Sequence, residues 1–97
     1  MSNAKRRIKI TRHGLMRLLE RDITVEQIEG IINNPIETVF DKESGNYLSY
    51  GMATHQRFLT LTYLMIVHSK FNTRVSIISV MWQTAGGLQR NGFSKIR

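Results

Sequence analysis

The sequence predicts an α+β domain in the order β-α-α-β-β-β-β, with a helical hairpin packed on one face of an antiparallel sheet. Three observations carry this expectation. Helix start signals stand at Thr11 and Thr24, ahead of apolar residues that recur at three- and four-residue spacing up to residue 33. From residue 36 the pattern changes to that of strands, broken by the turn sequence "DKESGN". Two near-continuous apolar runs, "FLTLTYLMIV" and "VSIISVMW", then supply central strands covered on at least one face and partly on both.

In chain order, "RIKIT" alternates basic and apolar residues and reads as a short strand with Ile8 and Ile10 inward. Thr11 is placed to cap the helix that follows. A helical wheel over residues 12–21 gathers Leu15, Met16, Leu18 and Leu19 on one side and His13, Arg17 and Arg21 on the other, so the helix is expected to pack its leucines and present its bases. Thr24 stands three residues before Gln27, a capping box, and Ile23 and Ile28 occupy the positions of a hydrophobic staple. Val25, Ile28, Ile31 and Ile32 give the helix over 24–33 its apolar stripe, and "NNP" ends it. "IETVF" and "YLSYGM" form a hairpin in which Gly45 and Asn46 tolerate positive φ. Long strands over 57–68 and 73–82 follow, joined by "SKFNT". The tail at 83–97 contains Gly86, Gly87, Gly92 and scattered bases and is expected to be flexible.

A chain of 97 residues with 41% apolar content supports one core, so residues 1–97 read as a single domain with its core at about 7–82. The apolar runs fall short of the roughly 20 residues that a membrane helix needs, and no secretory signal is visible. The expectation is a cytoplasmic protein with no membrane partner. Ser2, Asn3 and Ala4 match a common expression-vector scar and are assigned no function. The absence of cysteine excludes disulfides and thiolate chemistry. His13, His55 and His68 lie far apart in sequence with none of the close spacing of a zinc site, so no metal and no cofactor are expected. Gly86-Gly87 lacks the strand-to-helix setting and the Lys-Ser/Thr of a phosphate loop.

Charge is segregated along the chain. Residues 1–19 and 44–97 hold bases and no acid, whereas residues 20–43 hold all seven acids, within a net charge of +7. A molecule with a positive side favours a polyanion, and RNA is the partner expected for a small basic protein. The stripe His13, Arg17, Arg21 is the most specific feature. Arg17 and Arg21 at four-residue spacing repel by roughly 0.2–0.5 kcal/mol, and bases at a helix N-terminus oppose the dipole. Folding alone would not choose this arrangement. The local field is expected to keep His13 neutral near pH 7, as a general base requires.

The stretch "ITRHGLMRLLERDITVEQIEGIINNPIETV" resembles the start of the bacterial domain-of-unknown-function 4258 family: a strand, Thr-x-His, an Arg-bearing helix, Arg-x-Ile-Thr, and a second acidic helix ending at an Asn-Pro turn. "GNYLSYGMATHQRFLTLTYLMIVHSKFNTRVSIISVMW" is similar to that family's strands and, more loosely, to the BrnT toxins. The resemblance implies a RelE-like fold and kinship with the RelE/ParE toxin group, many of whose members are metal-independent ribonucleases held by an antitoxin protein. It would make His13 the base for the 2′-hydroxyl and Arg17 and Arg21 the phosphate stabilisers, with the acid unassigned between His68 and Lys70. Arg12, Lys70, Arg74 and Lys95 would hold RNA, and Tyr47, Tyr50 or Trp82 would stack a base. The tail departs from the toxins, which place basic and aromatic catalytic residues near the last strand. The rival expectation is a non-catalytic module that uses the same basic surface to bind RNA or an acidic protein.

Overall fold

The computed structural model describes residues 6–97. The elements are β1 (Arg7–Ile10), α1 (Arg12–Glu20), α2 (Val25–Asn33), β2 (Glu37–Asp41), β3 (Asn46–Thr54), β4 (Leu61–His68), β5 (Arg74–Gln83) and α3 (Ala85–Arg90). They build a compact α+β domain around one five-stranded sheet of order β1-β5-β4-β3-β2. The expected elements are present with shifts of a few residues at their ends, and α3 is an addition. One feature of the sheet is corrected: β2 to β5 are antiparallel to their neighbours, but β1 runs parallel to β5, pairing Arg7 with Arg74 and Ile10 with Ile77. The sheet is therefore mixed. A strand's own residues do not encode the direction of a partner so far along the chain, and the four-residue β1 carries no pattern that separates the two pairings.

The local signals act within their own turns. Thr11 Oγ1 accepts from the Gly14 N–H, and Thr24 and Gln27 close a reciprocal capping box. Ile23 and Ile28 are both buried beside it. Gly45 adopts φ +76° in the β2–β3 turn. Both α1 and α2 lie on one face of the sheet. Leu18, Ile23, Ile28, Ile31 and Ile32 pack there against Ala53, Leu64, Ile66, Val75, Ile77 and Val80.

The sheet residues of that cluster reveal a device in β5. Alternation would place Val75 and Ile77 on one face and Val80 on the other, yet all three share the helix side. The register supplies the reason: Val67 pairs with Ser79 and His68 with Ile77, so Ile78 is an extra residue, a β-bulge that reverses the parity of the strand. The bulge lies where α1 begins. The Thr11 N–H and Oγ–H both donate to the Ile77 carbonyl, at 3.0 and 2.8 Å. A Cβ at Gly14 would stand 2.5 Å from that same oxygen, so only glycine lets the helix approach so closely.

Close approach at Gly14 also rotates α1 away from the expected wheel. Its buried positions are Gly14 and Leu18, while Leu15, Met16 and Leu19 are exposed at 46, 53 and 67%. The helix contacts the sheet along the arc of Gly14, Leu18 and Arg21 rather than through the centre of its leucines.

The tail is the second correction. Residues 83–97, expected to be flexible, cover the sheet face opposite α1 and α2. Leu88 and Phe93 bury completely or nearly so against Leu48, Tyr50 and Met65. Thr84 caps α3, and Gly92 at φ +96° ends it, with Phe93 N–H donating to the Leu88 carbonyl and Gly92 N–H to that of Gln89. The Glu37 carboxylate then accepts from the backbone N–H groups of Ser94 and Lys95 at 3.0 and 2.7 Å. Tyr50 and Tyr63 hydroxyls donate to the carbonyls of Lys95 and Arg97. Two adjacent glycines disfavour a helix by about 1 kcal/mol each, and tertiary burial of Leu88 overrides them.

Candidate nucleic-acid interface

The α1 stripe has its members engaged to different degrees. Arg21, half-buried, donates from its guanidinium to the Val80 carbonyl at 2.6 Å. That carbonyl lies in the part of β5 beyond the end of β1, where no strand among the described residues pairs with it, so Arg21 satisfies an open sheet edge. The Trp82 indole N–H completes the clasp by donating to the Arg21 carbonyl at 2.7 Å. Arg17 forms an ion pair with Glu20 at 2.9 Å, the only one among the described residues. Arg12 and His13 are exposed at the start of the helix. The stripe thus offers the imidazole of His13 and, beside it, the guanidinium of Arg12 at the surface, while Arg21 fastens α1 to β5.

His68, considered above as an acid, is fully buried with Ser49. Its Nδ1 lies 2.5 Å from the Ser69 carbonyl, which can only accept, so Nδ1 carries the proton and Nε2 accepts from the Ser49 hydroxyl at 2.7 Å. Ser49 Oγ in turn accepts from the Thr38 hydroxyl at 2.7 Å. Burial lowers the imidazole pKa from its ordinary value, the Ser69 hydrogen bond partly opposes this, and Arg6 adds to the lowering. The neutral ring holds β2, β3 and β4 together through hydroxyls and is closed to solvent.

The remaining bases gather by topology. β1 and β5 begin side by side, so Arg7 and Arg74 are direct cross-strand neighbours, both exposed. Ile8 packs towards α1 and α2, so strand alternation places Arg7 and Lys9 on the other face. Lys70 is exposed in the adjoining β4–β5 turn, and the Arg6 guanidinium lies 4.5 Å above the Phe71 ring in the same turn. Like charges directly opposite on a sheet destabilise it. Among the described residues, Arg6, Arg7, Lys70 and Arg74 have no acidic partner within ion-pair distance. Lys95 does not join them, because its segment lies across Glu37 and Tyr50 on β2 and β3, at the far side of the sheet.

A row of rings extends from Arg6 and Phe71 across the helix-side face, the face opposite Arg7 and Arg74. Phe71 is 4.5 Å from His68, His68 stacks on Tyr47 at 6.1 Å and 20°, and Tyr47 meets Phe40 at 5.1 Å. Phe40 is 52% exposed on the edge strand. Of the three rings considered for base stacking, only Tyr47 belongs to this row. Tyr50 is fully buried under the tail, and Trp82 is clasped to Arg21 and packed on His55 at 4.6 Å. Phe40 and Phe71 had no sequence signal beyond being aromatic, since what joins them is strand register.

Among the described residues no helix is long and apolar enough to cross a membrane, and no three His, Asp or Glu side chains gather as a metal site. The chain matches no family model, no curated protein and no solved structure.

Proposed function

We propose that the domain is a non-catalytic RNA-binding module that holds the phosphate backbone with the cluster Arg6, Arg7, Lys70 and Arg74. The observation that supports this reading is the direct pairing of Arg7 with Arg74. Two exposed guanidinium groups side by side, with a third and an ammonium nearby, cost the fold stability, and a polyanion offsets that cost. Arginine forks suit phosphate oxygens, and binding releases counterions.

The reading departs from the ribonuclease that the family resemblance implies, and the geometry of α1 motivates the departure. Metal-free RNA cleavage needs a base, a cation at the phosphate and an acid converging on one linkage. Here Arg21 is engaged by Val80, and His68 is sealed from solvent. The test is fluorescence anisotropy with a labelled single-stranded RNA at several salt concentrations. Binding is expected to weaken steeply with salt, and Arg7→Ala or Arg74→Ala each to reduce the logarithmic salt slope by about 1. The RNA recovered afterwards is expected intact. Absence of binding, or a slope indifferent to both substitutions, refutes the proposal. Cleavage abolished by His13→Ala would replace it with the ribonuclease reading.

A further inference from the structure

The basic cluster accounts for phosphate but leaves the row of rings unexplained. Cross-strand aromatic pairs do stabilise sheets, and the inner part of the row has that role: His68 is buried, and Phe71 packs against the core. The outer part does not need to be there for folding. Phe40 exposes half its surface on the edge strand, and its partner Tyr47 is only half-buried. The helices leave this strip open. α2 passes from Gln27 beside Thr54 to Ile31 above Gly51, and the chain turns away at Pro35 before it reaches the level of Tyr47. Arg6 and Lys70 supply cations at the Phe71 end, whereas at the Phe40 end exposed Lys42 stands between Asp41 and Glu43 in the turn. Exposed rings with cations at one end are the arrangement in which a single strand lays its bases on aromatics while its phosphates meet the charges.

Resting on the RNA-binding reading, we propose that Phe40 and Tyr47 form a stacking platform for unpaired RNA bases, which makes single-stranded RNA the ligand class of this surface. A duplex keeps its bases stacked on one another and offers the platform nothing but phosphate. The bound strand runs across the sheet, from the Arg6–Phe71 corner towards the β2 edge.

The experiment compares three probes on the full chain by anisotropy: a short oligoadenylate, an abasic oligonucleotide of equal length, and a duplex. Stacking of one base is worth a factor of about 5 to 150 in affinity. Oligoadenylate is expected to bind more tightly than either other probe by a factor in that range. Phe40→Ala removes a half-exposed side chain that packs on Tyr47, so a small fall in melting temperature is expected and binding is measured well below it. The substitution should weaken oligoadenylate binding at least about fivefold while leaving the abasic probe unaffected, and Phe40→Trp should restore or raise the affinity. Equal binding of all three probes, or an oligoadenylate affinity indifferent to Phe40→Ala, overturns the platform while the salt-dependent phosphate contacts stand. Failure of every probe to bind overturns the RNA reading and the platform with it.

Discussion

Lowering the pH is expected to destabilise this domain through one residue, His68. Its ring is fully buried, and burial depresses its pKa from an ordinary value near 6.5. Well above pH 6.5 the imidazole is neutral in both the folded and the unfolded chain, and it contributes no pH dependence. As the pH falls below that value the unfolded chain takes up a proton that the folded chain refuses. Stability is then lost at up to about 1.4 kcal/mol per pH unit for one proton, and the loss levels off once the folded-state pKa is passed. Protonation also places a donor on Nε2, which the Ser49 hydroxyl meets only by turning its own proton elsewhere. A domain of this size has a total stability of about 5–15 kcal/mol, so the change is measurable. Urea unfolding between about pH 7.5 and 5 gives the slope, and ring resonances followed by NMR give the pKa directly, beside those of His13 and His55. A His68 resonance that titrates at or above 6.5 refutes the argument. His68→Gln keeps an acceptor for Ser49 and is expected to flatten this part of the pH dependence.

Two further perturbations test the corrected features of the fold. Gly14→Ala improves helix propensity by about 1 kcal/mol, yet its Cβ would meet the Ile77 carbonyl at 2.5 Å; thermal melting is expected to show a net loss, and an increase in Tm would show that α1 does not sit so close to β5. Phe93→Ala is expected to cost about 3–5 kcal/mol in urea unfolding, since the ring is 3% exposed and packs edge-on against Tyr50 at 5.0 Å. An unchanged midpoint would show that the tail is not part of the domain.

What the sequence makes legible is what neighbours along the chain decide. Thr11, Thr24 with Gln27, Ile23 with Ile28 and Gly45 each act within a few residues of their own position, and each is found in the role its type and spacing indicate. The corrections share a different cause. The direction of β1 and the rotation of α1 are settled by contacts between the two ends of the chain, Arg7 with Arg74 and Thr11 with Ile77. The bulge at Ile78 is visible only once β5 is set in register against β4. The tail is ordered against the flexibility that Gly86-Gly87 indicates, because the Thr84 cap and the Gly92-Phe93 ending, two signals present in the sequence, are backed by burial of Leu88.

The candidate site divides in the same way. An i, i+4 stripe identifies residues that share a helix face, but it says nothing of what that face meets. Once Gly14 draws α1 down onto the bulge, Arg21 is carried to the unpaired Val80 carbonyl, and a residue selected for chemistry becomes a fastening. The opposite happens at the start of the sheet. Arg7 and Arg74 belong to separate basic segments and carry no motif, and Phe40 and Tyr47 look like ordinary strand aromatics. Parallel pairing of β1 with β5 and antiparallel pairing of β2 with β3 make two neighbouring pairs of them. Charge repulsion in the first pair and solvent exposure in the second both run against what a sheet selects for itself, and the two pairs lie on opposite faces, Arg7 and Arg74 away from the helices and Phe40 and Tyr47 on the helix side.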